Sequence, residues 1–374
     1  MKLVLRRAAV GAVAFFAVSA VSAPVFAETT ADLRISAGGT TIALGASAKD
    51  IAVSIINDGP GAATGIKLTF DTSQLAPAMV WLELPAWCDT ATKTCEFTEG
   101  VQLTTGENLD TVFFRLLKTG GSTGGATTGP AGKLKVTVSS DATDPNASNN
   151  VAVVDVMLSE TDGVDLKVLN WDVAADITED GDIVPVKPGE TAPFIAAFYN
   201  QGTAAAKGVV TTVMLPAGAT FEGAVPHCVY SEGNRKAVCT EPDWIIPTGG
   251  SHKDDSTWYG IEPLTVRVAS TVAGPVNLTP GNITIEPMGE LEPESATARS
   301  ATAKKFTGAS ARLVDKYKDI DPTDNGDDFI VYVGSNGNLP QTGTNVALIA
   351  GIGGIMLIAG GTLFMITRRR RVVA

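Results

Sequence analysis

The residues able to do chemistry in this 374-residue chain are few and unevenly placed. Four cysteines, Cys88, Cys95, Cys228 and Cys239, are enough for two disulfides under oxidising conditions, and three connectivities are open to them. Only two histidines are present: His227, beside Cys228, and His252, in a polar stretch. Nucleophilic catalysis needs a histidine next to a nucleophile and oriented by an acid, and neither histidine sits in such a motif. No His/Cys set has zinc spacing. Oxygen donors cluster in residues 176–182 and 321–328, as calcium sites require. Neither run has the twelve-residue EF-hand spacing or its closing glutamate, and Asp, Asn and Gly build turns for their own reasons, so turns are predicted. The glycines of 120–125 lack the lysine of a phosphate loop. Trp81, Trp87, Trp171, Trp244 and Trp258 offer aromatic faces that sugars stack on. No catalytic residue, metal or cofactor is predicted, and the chain reads as a non-enzyme.

The elements that would carry these residues are strands. Apolar residues alternate at Leu33/Ile35, Ile51/Val53/Ile55, Ile66/Leu68/Phe70, Val136/Val138 and Val154/Val156/Leu158. They do so again at Leu166/Val168, Phe194/Ala196/Phe198, Val209/Thr211/Val213/Leu215, Leu264/Val266/Val268, Ile283/Ile285 and Phe329/Val331/Val333. Period-two patterning broken by frequent turns is what half-buried antiparallel strands require. Abundant glycine (39) and proline (20) fit many turns, and two sheets face to face would bury one side of every strand. The predicted fold is all-β, two tandem β-sandwiches over residues 28–160 and 161–334. At least two tryptophans are expected in their cores. The Gly/Thr-rich stretch 119–132 and the polar stretch 287–319 read as long loops.

The two halves look like copies. Asn57-Asp58-Gly59 followed by Ala62-Ala63-Thr64-Gly65-Ile66 matches Asn200-Gln201-Gly202 followed by Ala205-Ala206-Lys207-Gly208-Val209, 143 residues on. A cysteine pair follows each, so the local pairing Cys88–Cys95 and Cys228–Cys239 is favoured. Asp144-Pro145 and Asp321-Pro322 each lead toward a last strand. With Leu215-Pro216-Ala217-Gly218, these stretches resemble the Ig-like repeats of bacterial surface proteins related to CARDB-type adhesive domains. The resemblance implies stalk or adhesive modules.

Both ends carry targeting signals. Lys2, Arg6 and Arg7 precede an apolar run, and Val25-Phe26-Ala27 offers a small-residue cleavage site. Residues 1–27 therefore read as a secretory signal peptide cut between Ala27 and Glu28. At the other end, a short linker (335–338) leads to Leu339-Pro340-Gln341-Thr342-Gly343. An apolar run from Val346 to Ile366 follows, about 30 Å long as a helix and matched to a bilayer's hydrocarbon core. Residues 367–374 include Arg368, Arg369, Arg370 and Arg371, a stop-transfer cluster that stays cytoplasmic. This order resembles the LPXTG sorting signal of Gram-positive surface proteins. The resemblance implies that a sortase thiolate attacks the Thr342–Gly343 bond and passes the Thr342 carboxyl to a peptidoglycan amine. The membrane then holds only the precursor. Pro340 fixes its own φ and biases Leu339 to an extended shape for a groove, and Gly343 leaves the carbonyl open to attack.

Trimming both ends removes seven basic residues and no acidic ones from totals of 28 and 40. The mature Glu28–Thr342 product is left with 21 against 40, a net charge of −19. Such a surface repels nucleic acid, and no basic stripe argues for it. The function predicted is a cell-wall-anchored structural or adhesive module, with binding of a carbohydrate or wall polymer as the alternative. With so short a linker, the domains are expected to sit close to the peptidoglycan.

Overall fold

The computed structural model describes residues 30–97, 101–119, 128–178, 183–261, 263–291 and 319–335. The predicted signal peptide, the sorting motif 339–343 and the apolar run 346–366 lie outside the described residues. Among the described residues there is no α-helix, only strands, turns and short 3-10 segments.

The first sandwich packs a four-stranded sheet against a five-stranded one. The four-stranded sheet orders Leu33–Gly38, Ala48–Asn57, Asn108–Lys118 and Val80–Glu83. The five-stranded sheet orders Thr41–Ile42, Val151–Leu158, Gly129–Ser139, Lys67–Asp71 and Thr94–Glu96. Pairings are antiparallel except for Thr41–Ile42, which runs parallel to Val151–Leu158. The second sandwich repeats this plan. Leu166–Asn170, Ala196–Asn200 and Tyr259–Gly260 form one piece of a sheet, and Thr191–Phe194, Leu264–Val268 and Ala219–Glu222 form the other. The opposing sheet orders Cys228–Ser231, Lys236–Ile246, Ala206–Met214, Val276–Pro287 and Gly326–Val333. This is tandem Ig-like architecture.

Each sandwich has its own core. Ile51, Val53, Ile55, Phe70, Phe114 and Val136 lie in the first, and Val168, Phe194, Phe198, Val213, Ile285, Phe329 and Val331 in the second. Fully burying one such side chain stabilises by about 1.5–3 kcal/mol, so the alternating rows supply the driving force. Three expectations about regularity were wrong. The apolar row around Phe194 is not one strand: Thr191–Phe194 pairs with Leu264–Val268, and beyond Ile195 the chain switches partner, Ala196–Asn200 pairing with Leu166–Asn170. The glycine-rich stretch is a shorter loop than predicted, because Gly129 to Gly132 already belong to a strand. Likewise the strand reaching Pro287 is followed by Ala206 bridging Glu290, so the predicted loop at 287 begins later.

The repeated Asn-x-Gly motif has one physical cause in both copies. Asn200 is fully buried. Its Nδ2 donates to the carbonyls of Ala204 (2.8 Å) and Ile246 (3.1 Å), while its Oδ1 accepts from the amides of Gly202 (2.9 Å) and Asp165 (3.1 Å). Asn57 does the same with Gly61, Leu103, Gly59 and Asp32. One side chain thus stitches a turn, the end of a neighbouring strand and the residue before the sandwich's first strand. Glycine must follow two residues later: a Cβ on Gly202 would lie 2.3 Å from the Gly163 carbonyl oxygen. The structure pairs Cys88 with Cys95 and Cys228 with Cys239, each within one sandwich.

Replacing Asn57 or Asn200 by alanine strands four backbone groups in a dry turn. At about 1–3 kcal/mol for each buried group left unpaired, either variant should lose at least about 2 kcal/mol. Guanidinium unfolding of the mature chain measures this, and an unchanged midpoint would remove the motif from its central place.

Candidate functional site: the joint between the sandwiches

Lys49 stands in the inward row of its strand, in register with Ile51, Val53 and Ile55, where a period-two pattern calls for an apolar residue. Its side chain is 1% exposed, and its ammonium meets the other sandwich. Nζ donates to both oxygens of Asp165, at 2.5 and 2.7 Å, and to Asp324 at 3.3 Å, with Asp321 at 3.5 Å. Lys167, equally buried, lies 3.6 Å from the other oxygen of Asp324. Asp319 accepts from the amides of Leu166 and Asp321 on the same side.

The neighbouring Asp50 points to the opposite face of the same sheet and forms a second group. Arg115 (2.7 Å) comes from the adjacent strand of its own sandwich. From the other sandwich come the Tyr199 hydroxyl (3.0 Å), the His252 amide (2.7 Å) and His252 Nδ1 (2.9 Å). Gln201 bridges the two groups: its Oε1 accepts from the Asp50 amide at 2.6 Å, and its Nε2 donates to Asp324 at 3.0 Å. Backbone contacts complete the joint. The Gly39 amide donates to Thr323 Oγ1 and the Thr41 amide to Asp321. A Cβ on Gly39, whose φ is +72°, would sit 2.6 Å from Asp324. Asp162, in the connection, accepts from the Gly45 amide on one side and the Thr203 hydroxyl on the other. Lys253 reaches Glu83 across the rim.

The electrostatics follow from burial. Burial alone would discharge Lys49, but the carboxylates of Asp165, Asp324 and Asp321 hold it above its usual range. Burial pushes Asp165 well up against the pull of Lys49, and the nearby carboxylates of Asp324 and Asp319 push the same way. Burial also raises Asp324, against Lys49 and Lys167, and carries Asp319 up to about 6. Asp321 and Asp50 go the other way. Burial opposes their ionisation, but Lys49, the Thr323 hydroxyl and two amides lower Asp321, and His252 and Arg115 lower Asp50.

The sequence-derived candidates fall into place around this joint. Asp321 does make a turn, capping the 3-10 segment Pro322–Asp324 through the Thr323 amide. It also faces an ammonium, so the acidic run is more than a turn and a lysine takes the position a cation would fill. Asp176 and Ile177 pair with Val184 and Ile183 as a small hairpin, and residues 179–182 of that run lie outside the described residues. His252 is part of the joint. His227 Nε2 lies 2.6 Å from Glu241, beside the Cys228–Cys239 disulfide. Trp258 is buried and stacks on Tyr199, Trp171 and Trp244 are half-buried, and Trp81 and Trp87 are exposed. One tryptophan fully buried, where two were expected, reflects the cores' filling by Val, Ile and Phe.

Sequence reading missed Lys49, Asp50, Asp165, Lys167, Tyr199 and Gln201. A signal existed at Lys49, a charge in an inward strand position. Comparing the copies gives another. Arg34 and Asp58 of the first copy make an exposed pair at 2.8 Å, and their counterparts in the second are Lys167 and Gln201, both buried. The same local surface is open to solvent in one sandwich and covered in the other.

Residues 333–372 match the family model described as the LPXTG cell wall anchor motif. The chain is thus a secreted surface protein anchored in a Gram-positive cell wall, its ectodomain the tandem Ig-like pair just described. Sortase processing and attachment to peptidoglycan follow from that motif. No curated protein matches the chain significantly. Among solved structures, it is similar to a partial N-terminal region of an enterococcal surface protein (9% identity, 69% of this chain and 89% of that one, TM-score 0.23). It is also similar to the B domain of a biofilm associated protein (7%, 69% and 81%, TM-score 0.21) and to red sea bream transglutaminase (13%, 68% and 28%, TM-score 0.21). None of these likenesses bears on function.

Removing one partner of a buried ion pair costs about 3–5 kcal/mol, whereas exposed pairs contribute about 0–1 kcal/mol. Lys49→Met should therefore destabilise several times more than Arg34→Ala in guanidinium unfolding, and equal effects would contradict the joint. Asp50 and Asp321 have lowered folded values, so their contribution is present above the ordinary carboxylate range near pH 4 and lost as pH falls through those values. Unfolding midpoints should drop on going from pH 4 to pH 2, less steeply in Asp321→Asn.

Proposed function

We propose that this protein is a sortase substrate whose mature form, Glu28 to Thr342, is joined to peptidoglycan through the Thr342 carboxyl and serves as a structural or adhesive module without catalytic activity. The observation that carries the reading is the anchor match over residues 333–372, which contains Leu339, Pro340, Gln341, Thr342 and Gly343. The stop-transfer arginines Arg368 to Arg371 and the signal cleavage site Ala27–Glu28 fit the same route. The joint supports the structural part. Two sandwiches tied by buried ion pairs transmit force through a defined interface rather than a free linker. The paired cysteines add cross-links that reduction would remove, worth about 2.5–3 kcal/mol each in the chain-entropy model.

A second reading has its own observation. Trp81 and Trp87 are 48% and 45% exposed, and Trp87 packs against Phe97 at 5.5 Å between ring centres. Aromatic faces held open to solvent suit stacking on sugar rings, which favours a carbohydrate or wall-polymer ligand.

Boiling cells in SDS and digesting the purified sacculi should release a C-terminal peptide ending at Thr342 with a peptidoglycan fragment attached. Thr342→Ala should shift the protein out of the sacculi, and recovery of an intact tail in detergent would overturn the assignment. On glycan arrays, binding by residues 28–338 that disappears in Trp81→Ala/Trp87→Ala would establish the second reading. Absence of binding leaves the structural module.

A further inference from the structure

The joint holds more acid than base. Among the described residues, Asp165, Asp319, Asp321 and Asp324 share one buried compartment with two ammonium groups, Lys49 and Lys167, all six at most 5% exposed. Fully ionised, these six groups carry two surplus negative charges shielded from bulk solvent, a situation buried carboxyls avoid by binding protons. The compartment spans the interface, with the acidic surplus on one side of it. Lys49 comes from one sandwich, and Lys167 and all four carboxyls belong to the other or to its edge.

We propose that the interface between the two sandwiches is a proton-dependent latch. It is seated while the surplus carboxyls hold protons and loosens as those protons leave, so that the angle between the sandwiches responds to the pH at the cell surface.

Charged or titratable groups face the joint from every element packed on it. The strand Ala48–Asn57 brings Lys49 and Asp50, Asn108–Lys118 brings Arg115, and Val80–Glu83 brings Glu83. From the second sandwich, Leu166–Asn170 and the residue before it bring Lys167 and Asp165, Ala196–Asn200 brings Tyr199, the loop before Trp258 brings His252 and Lys253, and 319–325 brings three aspartates. The connection adds Asp162. His252 Nδ1 lies 2.9 Å from Asp50, across the interface. The raised carboxyls Asp165, Asp324 and Asp319, the last at about 6, contribute stability that is complete below the ordinary carboxylate range. That contribution is lost as pH rises through their folded values. Asp50 and Asp321 set the lower limit, since their ion pairs fail only in strong acid.

The test uses the mature chain, disulfides intact, at pH 5 and pH 8.5. Small-angle scattering should show a larger radius of gyration at pH 8.5, reversible on return to pH 5. Hydrogen exchange, corrected for intrinsic rates, should show the interface amides of Gly39, Thr41, Asp50 and His252 losing protection by about tenfold or more, the factor that one pH unit of proton affinity represents. The core amides of Val53, Ile55, Val213 and Ile285 should keep theirs. Asp319→Asn, which cannot ionise, should hold the joint closed to higher pH, and Lys49→Met should open it already at pH 5. Identical dimensions and protection at both pH values overturn the proposal. So does loss of core and interface protection together, which would mean global unfolding instead of an opening latch. Because the readings are taken on the wild type, they stand even if a variant fails to fold.

Discussion

The contact between Lys49 and Asp165 constrains everything around it. An ammonium removed from water is tolerated only where carboxylates replace its hydration, and Lys49 has three within 3.5 Å, all from the other sandwich. Meeting that demand dictates local structure on both sides. The backbone at Gly38 and Gly39 must come close to Thr323 and Asp324, so neither position tolerates a side chain. The Asp321 turn must aim its carboxyl back across the interface. The loop holding His252 must fold over Tyr199, where Gly250 permits an approach too close for a Cβ. Breaking the ion pair would leave each of these adjustments without its reason.

The two sandwiches also show how one local grammar serves two purposes. Asn57 and Asn200 make the same four hydrogen bonds, and Gly59 and Gly202 face the same steric limit. What differs is the residue between. Asp58 stays at the surface with Arg34, where an ion pair contributes little, while Gln201 is buried and reaches Asp50 and Asp324. A neutral amide suits that position, because it both donates and accepts and adds no further charge to a crowded compartment.

Anchoring and ectodomain are physically separable in this chain. The anchor match falls on residues 333–372, a linear stretch of sequence at the C-terminal side. That match needs no knowledge of how the sandwiches fold. The ectodomain, in turn, holds together by apolar rows, two local disulfides and a polar seam, and presents Trp81 and Trp87 to solvent.

Much of this was legible from residue order because it is local. Alternating Val, Ile, Leu and Phe set the strand faces, Asn-x-Gly marked the turns, and the copied stretches 143 residues apart announced two similar units. The wall-anchor motif is legible for the same reason, because its match rests on the order of contiguous residues. The joint was not legible. Lys49 and Asp165 are separated by 116 residues, and Lys49 and Asp324 by 275, so no spacing rule connects them. Charged side chains are read as surface by default, because burial costs more than any local preference returns. Only the approach of one sandwich to the other supplies the opposite charges that make such burial stable, and that information exists in the tertiary structure alone.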